Sequence, residues 1–375
     1  MGINPKTDQI GKPHFLGIGV PKAATSWLNY CLSQHSQIYI PPRKELHYFN
    51  RCTRSTKQFL RACYRTIPKF VKETISGTRV ENPYLTRLIL ILKLPPQSPL
   101  FVLIHMLAFP SKVYRLMIRR ETEELRWYSK YYLGRLYLNP ENWYASLFEP
   151  TGQQICGEVT PAYSLLPDKS IEYMMSFNKH MRIIYLIRNP IERDWSHTSW
   201  YTMNPGGSLP MSVLQLYTDR FQAFSNYLSN LKRYLKYIPP ENLFLGFYED
   251  ILFHQKRFVA ALQDFLGISE EDIIHKPRYM GGYKGIKLEY AVYLAQRNLL
   301  NIREMTSIFG GYTRFWFDVA SELCQTETTS HSDETFISTP FATNDRWRSR
   351  WECSGAKDFK SGPLSSLPFV NKLIP

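Results

Sequence analysis

A chain of 375 residues with 44% hydrophobic and 15% aromatic side chains is too apolar for a disordered polymer, and long enough for two domains or one large α/β domain with insertions. The same composition excludes collagen-like, coiled-coil and small disulfide scaffolds. Lysine plus arginine number 46 against 32 acidic residues, a formal charge of +14, which predicts attraction to nucleic acid, acidic membrane, anionic glycan or a phosphorylated ligand without choosing among them.

Residues 1–10, MGINPKTDQI, hold no basic stretch followed by an apolar core, so no secretory leader and a cytoplasmic protein are expected. From Pro13 to Val20 the run PHFLGIGV predicts a buried strand entering a loop. Thr25 or Ser26 then opens a helix to about His35, with the hydroxyl as cap, and a short strand follows over Gln37 to Ile40. Residues of about 52–142 are basic, aromatic and broken by proline, and are read as a helical insertion.

Within that insertion the apolar stretch Leu85 to Leu107 is interrupted by Arg87, Lys93, Pro95, Pro96 and Pro99, which excludes a membrane-spanning helix of roughly 20 apolar residues. Residues 84–120 fit either a helical segment packed on the core, the favoured reading, or a peripheral contact with an anionic membrane. Strand pattern returns at Gln154 to Glu158, Met181 to Ile187 and Leu243 to Tyr248, and helices are expected over about Ile191 to Tyr201 and Leu214 to Tyr237. Short apolar strands alternating with helices imply a mainly parallel sheet covered on both faces, with ligands at the carboxyl ends of its strands. From residue 319 the composition turns polar, so the reading divides the chain into a domain of 1–318 and a partly ordered tail of 319–375 anchored by Trp347 and Trp351. Six scattered cysteines without a CxxC pair are read as reduced thiols, and no metal-ligand spacing appears, so no metal is expected.

Two strand-to-helix turns carry the chemistry. In Gly17-Ile18-Gly19-Val20-Pro21-Lys22-Ala23-Ala24-Thr25-Ser26-Trp27, small residues let backbone amides approach an anion, the helix start adds partial positive charge and Lys22 a full one. It is not a Walker A sequence, because a proline precedes the lysine and two alanines follow it. The second turn, Ile187-Arg188-Asn189-Pro190, follows another strand and opens another helix, on which Ser196 falls about two turns beyond Arg188. Taken singly each turn is also readable as a capped helix with a solvated cation. Trp27 reads as core, and Glu158 with Tyr163 as cleft residues or, preferably, structural ones.

These segments resemble the sulfotransferases that use 3′-phosphoadenosine 5′-phosphosulfate, such as the heparan sulfate enzymes and their bacterial relatives. The resemblance covers about 13–50 and 142–290. Lys44-Glu45-Leu46-His47-Tyr48-Phe49 is similar to the family's Lys-Glu-x-His-Phe-Phe segment, Gly157-Glu158-Val159-Thr160-Pro161-Ala162-Tyr163 to Gly-Glu-Lys-Thr-Pro-Ala-Tyr, and Tyr248-Glu249-Asp250 with Phe265-Leu266-Gly267 to the pair that closes the family's core.

The resemblance implies a P-loop-like three-layer α/β fold and transfer of a sulfonate to a hydroxyl, less readily an amine, of a small-molecule, lipid or glycan acceptor, with no metal and no nucleic acid. The alternative is a catalytically inactive nucleotide- or glycan-binding protein of that fold. By resemblance Lys22, Ala23, Ala24, Thr25 and Ser26 hold the phosphosulfate end of the donor, Arg188 and Ser196 the 3′-phosphate, and Lys284 with Gly285 a further 3′-phosphate contact. Lys22, Glu45 and His47 are the catalytic candidates, with Glu45 or His47 the base and partial burial expected to raise the Glu45 pKa toward neutrality. The chain departs from the family at Ala23 and Ala24, where glycine and threonine are usual, and at Val159, where glycan-sulfating members carry a lysine.

Overall fold

The computed structural model describes residues 11–52, 123–124, 126–128, 130–131, 140–202, 209–273, 285–326, 336–354 and 360–373. The reading of 84–120 as a surface or membrane segment, most of the insertion, and Lys284 lie outside these residues.

The core is a mixed α/β structure built on a six-stranded sheet. Its strands are β1 (Phe15–Gly19), β2 (Ile38–Tyr39), β3 (Ile155–Val159), β4 (Arg182–Ile187), β5 (Leu243–Phe247) and a two-residue strand at Gly362–Pro363. The order is β2-β3-β1-β4-β5 in parallel, closed by the Gly362–Pro363 strand running antiparallel to β5. Every residue of β1 and β5 is buried, as continuous apolar runs require when helices cover both faces. Helix α1 (Thr25–Leu32) packs near β3, and the helix Gln255–Leu266 packs on β5.

The order has one switch point. The chain leaves β1 toward β2 and leaves β4 toward β5, so the loops after these two neighbouring strands depart in opposite directions and open a crevice between them. The Val20 amide donates to the Leu186 carbonyl at 2.7 Å and ties the two exits together. Gly19 turns the chain here at φ 146°, and a Cβ at this position would stand 2.8 Å from the Ser164 Cβ and 2.9 Å from the Pro161 carbonyl.

Boundaries differ from the sequence reading in instructive ways. Helix α1 ends at Leu32 rather than at His35, whose imidazole instead bonds the Ser269 carbonyl at 2.9 Å. The helix expected over 214–237 is two, Met211–Phe221 and Tyr227–Leu235, separated by a tighter turn at Gln222–Ser225 where the Ser225 hydroxyl donates to Asp194. The composition boundary at 319 falls inside the helix Tyr312–Gln325, whose apolar side is buried. Beyond it Phe336–Ser338 pairs antiparallel with Gly285–Lys287, Trp347 is fully buried and Trp351 stacks on Tyr312 at 5.6 Å. The described segments beyond it dock through scattered apolar side chains such as Ile337, Phe341, Leu364 and Phe369.

Among the described residues no helix is long and apolar enough to cross a membrane. Cys31, Cys156, Cys324 and Cys353 are free thiols.

A Gly19→Ala variant is expected to lose about 2–3 kcal/mol of stability, because the added methyl meets a side chain and a carbonyl while the backbone is held at positive φ. Chemical denaturation at neutral pH measures it.

Candidate active site

Both sequence-predicted turns end at the crevice. The Arg188 Nη1 donates to the Lys22 carbonyl across a long 3.4 Å contact, so the loop after β1 and the loop after β4 share one wall. Arg188 Nε donates to Glu192 Oε2 at 3.3 Å, its guanidinium lies 4.4 Å from the Tyr248 ring, and its carbonyl accepts from the Tyr227 hydroxyl at 2.7 Å. Donors of the fork remain for a ligand.

Helix α1 begins differently from the expectation. Ala24, not Thr25 or Ser26, occupies the capping position, in left-handed conformation at φ 63°, and no side chain caps the first turn. The hydroxyls of Thr25 and Ser26 instead accept from Lys44 Nζ at 3.5 and 3.0 Å. An uncapped helix start with free amides and flanking lysines is an anion cradle.

Lys22 itself carries φ 72°, and its ammonium lies 4.4 Å from the Trp200 ring. Burial and the nearby cations Lys44 and Arg193 lower its pKa to about 8, opposed by Glu45. The crevice thus resists further positive charge and favours an anion. Ser196 is half-buried on the helix Pro190–Thr202 (α2), between Glu192 one turn before and Trp200 one turn after. Glu192 meets Arg188 and Trp200 meets Lys22, which puts Ser196 on the helix side that faces both turns.

The segment after β2 supplies the remaining polar groups. Glu45 Oε1 accepts from Lys44 at 3.1 Å, Oε2 lies 3.5 Å from His47 Nε2, and His47 Nδ1 lies 3.2 Å from the Asn50 amide nitrogen. Here the sequence expectation is corrected. Burial does push the Glu45 carboxyl up, but His47 and Lys44 outweigh it and hold the pKa down to about 2.

What positions this segment is a buried carboxylate. Glu158 accepts from the hydroxyls of Thr160, Tyr144 and Tyr163 at 2.6, 2.7 and 2.9 Å and from the Leu46 amide at 3.1 Å. The Tyr163 hydroxyl in turn accepts from the Tyr48 amide at 2.8 Å. Glu158 and Tyr163 therefore do not line the cleft; they grip the backbone on both sides of His47 from beneath. Among the described residues the four non-glycine residues at positive φ are Lys22, Ala24, Glu45 and His47. Each such conformation costs on the order of 1 kcal/mol and persists where surrounding contacts over-determine it.

Other candidates fall elsewhere. Trp27 is buried edge-on to Phe258 at 5.8 Å and is core. Val159 is buried in β3 with its methyls against Gly17. Gly285 is buried in a short strand whose carbonyl accepts from Trp195 Nε1 at 2.9 Å. Among the described residues no three His, Cys, Asp or Glu gather as metal ligands.

Sequence reasoning missed three contributors. Tyr248 and Glu192 flank Arg188, and the docked C-terminal segment reaches the same place, with the Phe341 amide donating to Glu192 Oε1 at 2.6 Å. The i, i+4 spacing of Arg188 and Glu192 was visible in the sequence; the long-range contact from Phe341 had no local signal. Beside them Glu249 is buried, accepts from Trp316 Nε1 at 2.6 Å, and is pushed up to about 8 by burial and then by Glu192.

A folded-state value above the ordinary 4.5 means that the stability contributed by Glu249 is full below about 4.5 and is lost as pH rises toward about 8. Glu249→Gln is therefore expected to gain stability relative to the unsubstituted chain between roughly pH 5 and 8, read from denaturation midpoints across that range.

The profile of the sulfotransferase family matches residues 13–272. Among solved structures the chain is similar to a sulfotransferase from Alicyclobacillus acidocaldarius at 18% identity, over 79% of this chain and 95% of that one, with a TM-score of 0.47. It is also similar to the sulfotransferase domain of the curacin biosynthetic pathway at 17% identity, over 72% and 78%, TM-score 0.41, and to that of the Synechococcus PCC 7002 olefin synthase at 14%, over 74% and 80%, TM-score 0.37. Among curated proteins none matches the chain.

Proposed function

The chain belongs to the sulfotransferase family, and from that premise we propose that it transfers a sulfonate from 3′-phosphoadenosine 5′-phosphosulfate to a hydroxyl of a carbohydrate, lipid or secondary-metabolite acceptor. The observation that carries the donor reading is the contact between Arg188 and the Lys22 carbonyl, which joins two cationic strand exits into one crevice suited to a ligand with two anionic ends. The uncapped start of α1 and the lowered pKa of Lys22 support the same fit.

In this reading Lys22 and the amides of Ala24, Thr25 and Ser26 hold the phosphosulfate end, with Ala23, whose amide donates to the Val20 carbonyl at 3.3 Å, shaping the loop, and Arg188 with Ser196 hold the 3′-phosphate. Lys284 and Gly285 remain the family's further candidates for that phosphate. The donor supplies an activated sulfonate whose bond to the phosphate oxygen breaks as the acceptor attacks. Sulfuryl transfer needs what phosphoryl transfer needs: an acceptor in line, positive charge at the leaving oxygen and a group to take the proton. Lys22 neutralises the leaving phosphate, and Lys44, bonded to both hydroxyls of the loop, holds the cradle in shape.

Both imidazole nitrogens of His47 are engaged, with Asn50 and with Glu45, whereas the Glu45 carboxylate keeps lone pairs for a further hydrogen bond. Glu45 is accordingly the proton acceptor and His47 the group that orients it.

Lys22→Met is expected to lower kcat about 10²–10³-fold, the cost of removing one preorganised charge from a transition state. Because Lys22 titrates at about 8 in the free enzyme, kcat/KM should fall as pH rises through about 8, and that limb should vanish from the residual activity of the Met variant. Glu45→Gln should lower kcat about 10²–10⁴-fold with calorimetric affinity for the nucleotide product retained. Absence of product binding by the unsubstituted protein would overturn the donor assignment.

A further inference from the structure

Trp200 stands near the end of α2 with 54% of its surface exposed, and Tyr201 beside it keeps 42% exposed. Large aromatic side chains normally bury most of their area, and an exposed one at a cleft marks a contact surface. This indole is also the ring that faces the Lys22 ammonium at 4.4 Å.

Behind it a ladder of rings is stacked between α2 and the helix Met211–Phe221. His197 lies on Phe221 with centroids 4.0 Å apart, Phe221 on Tyr201 at 4.6 Å, and Tyr201 faces Tyr217 at 6.0 Å. Trp200 meets Tyr201 edge-on at 4.9 Å. At its inner end His197 Nδ1 lies 3.1 Å from Arg193 Nη1, and the fully buried Arg193 is bonded to Asp194 and to Ser225. Burial and then Arg193, Lys22 and Arg220 push the His197 pKa to about 3, so the imidazole joins the ladder as a neutral ring, with the Arg220 guanidinium 5.5 Å from the Phe221 ring. A buried polar network therefore anchors a rigid row of rings whose outer edge reaches the lysine at the reacting centre.

We propose that Trp200 is the acceptor platform and that the acceptor is an aromatic alcohol, its ring stacked on the exposed indole and its phenolic hydroxyl sulfonated beside Lys22. This rests on the donor and base assignments of the preceding section. Two further observations favour a phenol over an alkyl alcohol or an anionic glycan. Glu45, paired with Lys44 and His47, is a weak base, which suits a hydroxyl of pKa about 10 rather than one near the 15.7 of water. Val159, at the family's glycan-site lysine, is an apolar residue buried in the sheet and offers an anionic glycan no counter-charge. In the step, the phenolic oxygen forms a bond to sulfur, the bond from sulfur to the donor's phosphate oxygen breaks, the electron pair stays on that phosphate beside Lys22, and the phenolic proton passes to Glu45.

The test uses the full chain with 2-naphthol, an alkyl alcohol and a neutral sugar as acceptors, together with calorimetry of the nucleotide product and of 2-naphthol in its presence. The unsubstituted protein should bind and sulfonate 2-naphthol in preference to the other two. Trp200→Ala should raise the naphthol KM about tenfold with kcat within about twofold, Trp200→Phe should keep most of the affinity, and both variants should bind the nucleotide product as the unsubstituted protein does. Nucleotide binding with preference for the alkyl alcohol or the sugar, or an unchanged naphthol KM in Trp200→Ala, overturns the acceptor assignment alone. Failure of the unsubstituted protein to bind the nucleotide overturns the donor reading, and this inference with it.

Discussion

The structure turns on how the exits of β1 and β4 are tied. One backbone hydrogen bond, from Val20 to Leu186, holds the two strand ends in register, and one side-chain bond, from Arg188 to the Lys22 carbonyl, carries that register into the loops. Lys22 and Arg188 are placed relative to each other by this pair of contacts. Because the chain leaves these neighbouring strands in opposite directions, a crevice opens between the loops, and Lys22, Lys44 and Arg188 gather along it, Lys44 paired with Glu45 and Arg188 with Glu192. The lowered pKa of Lys22 expresses first its burial and then its crowding with Lys44 and Arg193, both of which an arriving anion would relieve.

A second constraint makes the arrangement rigid. Glu158 gathers three hydroxyls and the Leu46 amide, and Tyr163 passes the grip to the Tyr48 amide, so the Glu45-to-His47 segment cannot relax out of its left-handed conformations without abandoning buried hydrogen bonds. Leaving such a carboxylate unsatisfied costs more than the strain it maintains. Reactive groups are thus held by residues that touch no ligand. A similar division runs through α2, where the buried Arg193, Asp194 and His197 support an outer side carrying Ser196 and Trp200.

Much of this was legible before any coordinates. Continuous apolar runs marked the parallel strands, and small residues followed by Lys22, or a strand end followed by Arg188-Asn189-Pro190, marked the two anion-friendly turns. Those signals are local: burial on both faces demands apolar runs, and close approach of backbone to an anion demands small side chains. Helix ends were read less well, since a hydroxyl at position 25 signals a cap, whereas Lys44 from another segment takes that hydroxyl and leaves Ala24 to begin the helix. The polar composition beyond 319 reads as a tail, because composition does not show which scattered apolar residues dock, as Ile337, Phe341 and Trp347 do.

The residue types of the crevice, their order along the chain and the alternation of strand and helix were properties of the sequence, set by periodicity and side-chain chemistry over short distances. Which groups meet was a matter of the folded chain. The suppression of Glu45 by His47 and Lys44, the grip of Glu158 on Leu46, the placement of Trp200 against Lys22 and the reach of Phe341 to Glu192 each join residues through the packing of separate elements. Electrostatic and hydrogen-bond energies fall off over a few ångströms, so they are decided by spatial neighbours, and sequence separation carries no information about those.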